Sequence, residues 1–523
     1  MVYEQKEESV ESLEEAGAKA TGTASYLAFS SIFTILVYGL AFIAIARLLG
    51  PSQYGVYVIA VSIAGAFGAV GNFGISTYFE RQIPIAMARN KQELSSIIGS
   101  GIVAIVVLSC IIIAVGISAS HYLSMLLFHS LSELAVIYIA LLSILFSMLY
   151  GIGNGALIGF NDGKGSAIAS IIYTITQTAL SISLVVLGYG VLGAVLGLLA
   201  GLLLGTAAVL ARIEKHVSIS MRISGIWQRI KQMLSFSLPI AGSNFLSSLP
   251  SNIAVILLGI YTLSSVVGNY GVASRVESTL GVFTGALVVM LPFFSGMLAR
   301  NSKKEEIGNV MSYVLYVMFL LATPFIIFFT MFSHAIMYTV FPSYTSVYIY
   351  ISLMSISVLF NVLSAPASSL VIGRAHVKKV LTFSAITGLS ELLLLFLIMP
   401  ALGAYGAIAV LFFYGSVLAD FLYLHEIRKE GISIKPKRIY LALASNVALA
   451  LVFLPVLMIG IDTTAKLAIA FALIFVAYPP IMALTGALKR RDAERISNAT
   501  KSVPVIGKLM RVILAYASRF IRS

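Results

Sequence analysis

The sequence predicts an all-α polytopic membrane protein: fourteen transmembrane helices, arranged as two six-helix lobes related by a parallel internal repeat, plus two extra C-terminal helices. Three observations predict it. Charged residues make up 11% of the 523 and hydrophobic ones 59%, with a mean hydropathy of +0.99, where a soluble protein carries roughly 25% charge. Long stretches, 94–132, 165–211, 232–274 and 307–373, hold no Asp, Glu, Lys or Arg. Short motifs recur at a nearly constant offset of 213 residues. Such a composition excludes a soluble globular enzyme, a disordered chain and a collagen-like chain.

A helix crosses the hydrocarbon core with about 20 apolar residues, whereas a barrel strand needs only about 10 alternating ones. The charge-free lengths therefore place spans one to six near 24–48, 55–80, 97–118, 133–159, 166–187 and 191–212. Spans seven to twelve fall near 235–260, 266–298, 308–331, 346–371, 379–399 and 403–427, and the last two near 439–459 and 465–488. The gap at 165–211 is two spans joined by a tight turn at Gly188-Tyr189-Gly190. The domains follow: an acidic tail at 1–22, a first lobe at 23–213, a basic linker at 214–234 and a second lobe at 235–428. A basic loop with the last two helices occupies 429–488, and a basic tail occupies 489–523. The first 22 residues hold six glutamates and two lysines. They lack a basic leader, and the apolar run behind them is too long for a signal peptide, so it is expected to remain as span one.

Lys and Arg orient the chain. With the N-terminus inside, 31 of the 34 fall on the inside, Lys466 falls on an outside loop, and Arg47 and Arg275 lie within spans. One missed span would reverse every later loop, so the asymmetry supports the count. Both termini are then cytoplasmic, in a multi-pass protein of the plasma membrane. The net charge of +13 is loop charge facing anionic headgroups and requires no nucleic-acid partner. The stretch 503–521 mixes Val505, Ile506, Leu509, Met510, Ile513 and Phe520 with Lys508, Arg511 and Arg519. It reads either as an amphipathic helix on the anionic inner leaflet or as a solvated basic tail. A monomer is expected.

The repeat is carried by four matches. Gly55-x-Tyr57 matches Gly268-x-Tyr270, and Gly190-x-x-Gly193-Ala194 matches Gly403-x-x-Gly406-Ala407, both at 213. Leu157-Ile158-Gly159 matches Val371-Ile372-Gly373 at 214, and Leu48-Leu49-Gly50 matches Leu257-Leu258-Gly259 at 209. The offset covers six spans, an even number, so both halves enter the membrane in the same sense. Parallel repeats of this kind hold their substrate site between the halves. Spans thirteen and fourteen fall outside the repeat.

No catalytic motif is present, and the chain is not expected to be an enzyme. The nearest approach to a nucleotide-binding loop is Gly163-Lys164, but Ile158 and Gly165 stand where a glycine and a hydroxyl are required. The six histidines are scattered and Cys110 is the single cysteine, so no metal, cofactor or disulfide is expected. Ionisable residues within spans are Arg47, Glu80, Arg275, Glu277, Glu391 and Asp420; in lipid such groups face a cavity or pair with one another. Arg275 lies near ~14 Å of depth. It reads either as a cation presented to an anionic substrate or as half of a structural pair with Glu277, Glu391 or Asp420. Glu277 is two residues away and so on another helix face. Arg47, at the outer end of span one, either meets substrate or snorkels outward. Glu80 beside Arg81 and Asp420 near the inner interface are coupling or structural groups, or helix-end charges in water. Glu391 has no charged neighbour in sequence and is expected to compensate Arg275 or another cation.

Polar stripes recur at helical spacing: Ser30, Thr34 and Tyr38 in span one, Ser170, Thr174, Thr178 and Ser181 in span five, and Asn244, Ser248, Ser251 and Asn252 in span seven. Ser and Thr stripes are often packing faces. An amide in lipid needs partners, so Asn244 and Asn252 point to a wet cavity lined by spans one, two, seven and eight.

The stretch Ala46-Arg47-Leu48-Leu49-Gly50-Pro51-Ser52-Gln53-Tyr54-Gly55, followed by Asn72-Phe73-Gly74-Ile75 and Glu80-Arg81, resembles the start of Wzx-type polysaccharide flippases. These belong to the multidrug/oligosaccharidyl-lipid/polysaccharide (MOP) exporter superfamily. Phe236-Ser237-Leu238-Pro239 and Gly268-x-Tyr270-x-x-Ala273-x-Arg275 resemble the same family in the second half. The resemblance covers spans one to twelve. It implies a transporter that carries polyprenyl-phosphate- or pyrophosphate-linked oligosaccharides from the inner to the outer leaflet by alternating access. In that reading Arg275 and Arg47 meet the phosphate, while Asn244, Ser248, Asn252 and Asn72 line the headgroup path. Two relatives remain as alternatives. Cation-coupled drug exporters use acids in the N-terminal lobe, and spans one, three, five and six have none between their ends. Lipid II flippases carry several cavity arginines there, where this chain has Arg47 alone.

Overall fold

A computed structural model describes residues 2–69, 74–89, 91–217, 226–281, 294, 297–298, 300, 302–374, 377–499 and 504–521. The described residues are helices and short connections, with no strand among them. Among the described residues ten helical stretches are long and apolar enough to cross a membrane, so the chain is an all-α multi-pass membrane protein. It divides into two compact units, Met1–Gly268 and Asn269–Ser523.

The first unit begins with α1 (Val2–Ala69), a helical run interrupted at Gly50, which has φ 70° and ψ 173°. Only glycine takes such a φ without a Cβ penalty, and Pro51 behind it starts the next helix with its φ preset. The chain reverses there. The Phe42 and Tyr54 rings are 6.1 Å apart, whereas twelve residues of straight helix would separate them by about 18 Å. The expected continuous span at 55–80 is instead broken. The described helix reaches Ala69, residues 70–73 lie outside the described residues, Gly74 takes φ 62°, and α2 (Ile75–Arg89) runs on past the expected end. The Gly74 carbonyl accepts from the Tyr78 N–H at 3.1 Å and from the Ser237 hydroxyl at 3.1 Å, which fixes the break in place.

Next come α3 (Lys91–Phe128), α4 (Leu134–Gly159), α5 (Gly163–Leu184) and α6 (Gly190–Glu214). The turn expected at 188–190 is present, with positive φ at Gly188 and Gly190. The Ser181 hydroxyl reaches the Ala194 carbonyl at 3.0 Å, so α5 and α6 form a hairpin. α7 (Ile226–Tyr261) packs on α1, α2 and α3. α8 (Ser264–Leu280) begins against α1, and most of the rest of the expected span 266–298 lies outside the described residues. A Cβ at Gly55 would overlap the Ser264 carbonyl oxygen and approach the Gly268 nitrogen to 3.0 Å. Reciprocally, one at Gly268 would overlap the Pro51 carbonyl oxygen and approach the Gly55 nitrogen to 3.0 Å. Small residues permit this close backbone crossing.

The second unit contains α9 (Lys304–Met331), α10 (Ser333–Val340), α11 (Tyr348–Gly373), α12 (Val377–Ile408) and α13 (Gly415–Lys429). It continues with α14 (Lys437–Met458), α15 (Thr463–Val476), α16 (Tyr478–Leu484), α17 (Arg490–Ala499) and α18 (Pro504–Ser518). Gly403, at φ 52°, breaks α12. The chain folds back there, because the Glu391 carboxylate abuts Gly415, which a straight helix would carry about 36 Å away. The helices beyond the expected repeat share the core of this unit. Phe332 packs edge-on against Phe453 at 5.3 Å, and the Tyr478 hydroxyl donates to the Leu320 carbonyl at 2.9 Å. Asn446 donates to the Phe319 carbonyl at 3.3 Å, so its amide nitrogen finds the partner that an apolar environment demands, while its side-chain oxygen meets none among the described residues. α18 buries Leu514 and Ala517 and leaves Arg511, Val512 and Arg519 exposed.

Candidate functional site

The polar stripes of spans one and five meet each other. Tyr38 donates to the Gln177 side-chain carbonyl at 2.5 Å, and the Thr34 and Thr174 hydroxyls are 3.4 Å apart. Tyr150 reaches Ser170 at 3.0 Å and packs on Tyr173. These groups satisfy one another across α1, α4 and α5, which makes them helix-to-helix glue within the first unit.

The stripe on α7 behaves differently. Asn244, Ser248 and Ser251 are exposed and Asn252 is half-buried. Asn252 donates back to the Ser248 carbonyl at 3.0 Å, and its side-chain oxygen lies against Gly65 of α1. The Ser248 hydroxyl donates locally, to the Phe245 carbonyl at 3.4 Å. An exposed row of amides and hydroxyls on a membrane helix is stable where water reaches it. Asn72 lies outside the described residues.

Arg47 is exposed, three residues before the Gly50 turn, and Glu80 is exposed on α2 beside exposed Arg81. Arg275 is exposed on α8, with half-buried Glu277 two residues on. Among the described residues no ion pair joins Arg275 to Glu277, Glu391 or Asp420. Its carbonyl accepts from the Ser278 and Thr279 hydroxyls at 2.8 and 3.1 Å, which ties down the backbone of this turn.

The acids of the second unit sit where α11, α12 and α13 pack together. Asp420 is buried, 6% exposed, and among the described residues neither carboxylate oxygen meets a partner in hydrogen-bond geometry; the Ser364 hydroxyl lies close by. One turn back on the same face, the Ser416 hydroxyl donates to the Asn361 side chain at 3.4 Å. Glu391 rests on Gly415, about 7.5 Å of helix rise from Asp420. Asn361, Ser364 and Ser416 were not among the residues expected from sequence. The available signal was the amide of Asn361 in an otherwise apolar span. No group of three or more His, Cys, Asp or Glu able to hold a metal occurs among the described residues.

A second charged cluster escaped the sequence reading because its members are 50 residues apart. Asp162 caps α5 through the Gly165 N–H at 2.9 Å and accepts from Arg212 Nε at 2.5 Å and His216 Nε2 at 2.8 Å. His216 also stacks on Phe160 at 4.8 Å. Burial pushes the Asp162 carboxyl up, but the bonds from Arg212, His216 and Gly165 outweigh it and hold the pKa at about 2. The second unit has a counterpart with the signs exchanged. Arg374, after α11, pairs with Glu430, after α13, beside the Lys379–Glu426 pair. Asp162→Asn is expected to destabilise the protein by about 1–2 kcal/mol at pH 7, allowing for solvent around the partly exposed Arg212. Because the folded pKa is depressed, this contribution is present above the ordinary Asp value near 4 and is lost as pH falls through about 2. Melting curves of both proteins between pH 7 and pH 2 check it: the gap should close below about pH 4, and a constant gap would refute an ionised clasp.

Residues 22–298, more than half of the chain, match a family model described as Polysaccharide biosynthesis protein. No curated protein matches the sequence. Among solved structures, "Lipid II flippase MurJ, inward closed conformation" is similar with a TM-score of 0.73 at 14% identity, over 87% of this chain and 98% of that one. An inward-facing multidrug resistance MATE family transporter of the MOP superfamily is similar with a TM-score of 0.61 at 17% identity, over 76% and 95%. The eukaryotic MATE transporter AtDTX14 gives 0.54 at 17% identity, over 79% and 96%. At these identities the likeness is one of fold.

Proposed function

We propose that this chain, which belongs to the polysaccharide biosynthesis protein family, moves polyprenyl-phosphate- or pyrophosphate-linked oligosaccharides from the cytoplasmic to the outer leaflet by alternating access. Its fold is that of MOP-superfamily transporters. In this reading it is a monomer of the plasma membrane, with fourteen spans and both termini cytoplasmic, and its basic tail rests on anionic lipid. The observation that carries the substrate class is the exposed row Asn244, Ser248 and Ser251 on α7. A sugar headgroup needs hydroxyl- and amide-rich walls to replace its water, and a drug-sized apolar cation does not. Exposed Arg275 and Arg47 supply cations for the phosphate.

Two details support a parallel repeat. Pro51 and Gly55 contact Ser264 and Gly268 reciprocally, each 213 residues on, as residues related by a two-fold axis do. The ionic clasps of the two units also fall at corresponding places, Asp162 to His216 in one and Arg374 to Glu430 in the other. Transfer of a fluorescent lipid-linked oligosaccharide between leaflets of proteoliposomes tests the function. Absence of transfer by folded protein, with the lipid presented on either side, would sink it.

Energy coupling is assigned in the same reading to Asp420, with Glu391 beside it. A buried carboxylate without a hydrogen-bond partner is stable only when it holds a proton or a cation. Asp420→Asn is expected to slow gradient-driven transfer by about tenfold or more, while exchange without a gradient persists and the melting temperature does not fall. Equal gradient dependence in wild type and variant would remove Asp420 from coupling. Resistance of expressing cells to cationic drugs, lost in Glu391→Gln, would replace the flippase by an exporter.

A further inference from the structure

We propose that a cavity at the start of α14 binds the phosphate of an anionic membrane lipid. The cavity, about 150 Å³, is lined by Lys437, Arg438, Lys489, Asp492, Gly486 and Ala487. On that measure it holds several waters, hence a phosphoryl group. Its lining belongs wholly to the second unit and includes no residue of α8 or of the Asp420 cluster, and the transport reading does not use it.

The lining is built for an anion. Arg438 is held from two sides: its guanidinium stands over the Tyr313 and Tyr316 rings at 5.9 and 5.8 Å, and Nη1 donates to Asp492 at 3.0 Å. Asp492 is almost wholly buried, so its charge is spent on Arg438 rather than presented at the surface. Three cations against one carboxylate leave a net positive charge of two, which suits a phosphate. The Ala487 carbonyl, which would repel an anion, is occupied by the Tyr316 hydroxyl. Two helices also begin here, α14 at Lys437 and α17 at Arg490, immediately after Lys489. The first amide N–H groups of a helix lack partners within it and favour anions.

The surroundings select a lipid over a free ion. Tyr440, Val447 and Leu451 on α14 and Leu484 on α16 are large, apolar and 60–65% exposed. Tyr440, Val447 and Leu451 run up α14 from the cavity, Leu484 ends α16 two residues before Gly486, and together they provide a bed for acyl chains. Basic pockets between transmembrane helices on the cytoplasmic side take anionic headgroups in this way. The choice of leaflet rests on the orientation given under the proposed function.

Native mass spectrometry of the full-length protein in detergent, titrated with phosphatidylglycerol, phosphatidylcholine or sodium phosphate, tests the site. Wild type is expected to retain phosphatidylglycerol in preference to phosphatidylcholine. Lys437→Gln with Lys489→Gln should weaken that retention by about thirtyfold, since each cation near the surface contributes a similar electrostatic increment. Lys429→Gln, an exposed lysine outside the cavity, should leave it unchanged. Equal retention by the double variant, or no preference for the anionic lipid, overturns the site. Displacement of the lipid by sodium phosphate at matching affinity overturns the lipid assignment. Leaflet transfer measured on the same double variant keeps the two readings apart, because loss of lipid retention with transport intact touches this proposal alone.

Discussion

Gly55→Leu and Gly268→Leu are each expected to slow oligosaccharide transfer by at least about 100-fold, equivalent to roughly 3 kcal/mol on the barrier. The reason is the backbone crossing of α1 and α8. At each glycine an added Cβ meets main-chain atoms of the other segment, the Ser264 carbonyl in one case and the Pro51 carbonyl in the other. Main chain has no rotamer to escape into, so a leucine must push the helices apart. In the alternating-access reading this crossing lies at the outer ends of spans two and eight, where the path must open and close. Overpacking a close contact also costs about 1–3 kcal/mol in stability, so melting temperature is measured alongside proteoliposome transfer. Alanine at either position should fall between glycine and leucine. Wild-type transfer by a leucine variant would show that the crossing has no part in the cycle.

Arg275→Ala is expected to reduce transfer by about 100-fold without lowering the melting temperature. Truncating one partner of a charged hydrogen-bonded pair costs about 2–5 kcal/mol where the other partner is left buried. In the proposed reading the partner is the substrate phosphate; among the described residues no ion pair joins Arg275 to the acids of its own unit. Arg275→Lys should be intermediate, about tenfold down, since a point charge replaces a planar fork that bonds phosphate through two N–H groups. Normal export by the alanine variant refutes the role. A lowered melting temperature with unchanged transfer per folded molecule would instead assign Arg275 to structure.

Much of the fold was legible because a bilayer imposes simple arithmetic. Charge-free lengths pointed to long apolar helices, of which the described residues contain ten, and Gly188-Tyr189-Gly190 marked a turn that the structure contains. A second reversal, at Gly50-Pro51, falls between the expected spans one and two; glycine takes the positive φ there and proline opens the following helix. The end of span two was misjudged for a physical reason. The break before α2 depends on the Gly74 carbonyl finding Ser237, a residue 163 positions away. The polar stripes were visible, but their meaning was not. Thr34 and Tyr38 carry the same kind of periodic signal as Asn244 and Ser248, yet the first pair is consumed by α5 and the second is exposed.

By itself the sequence determined the environment of this protein, its helical class and the repeat of its short motifs, since each depends on residue type and spacing along the chain. Tertiary structure alone decided which polar groups remain available for chemistry. Asp162 is held by hydrogen bonds to Arg212 and His216, while Asp420 stays buried with no hydrogen-bond partner among the described residues. Lys437 and Lys489, 52 positions apart, line one cavity with Arg438. Availability depends on what packs against a side chain, and packing partners here come from helices whose separation in sequence carries no information about their separation in space.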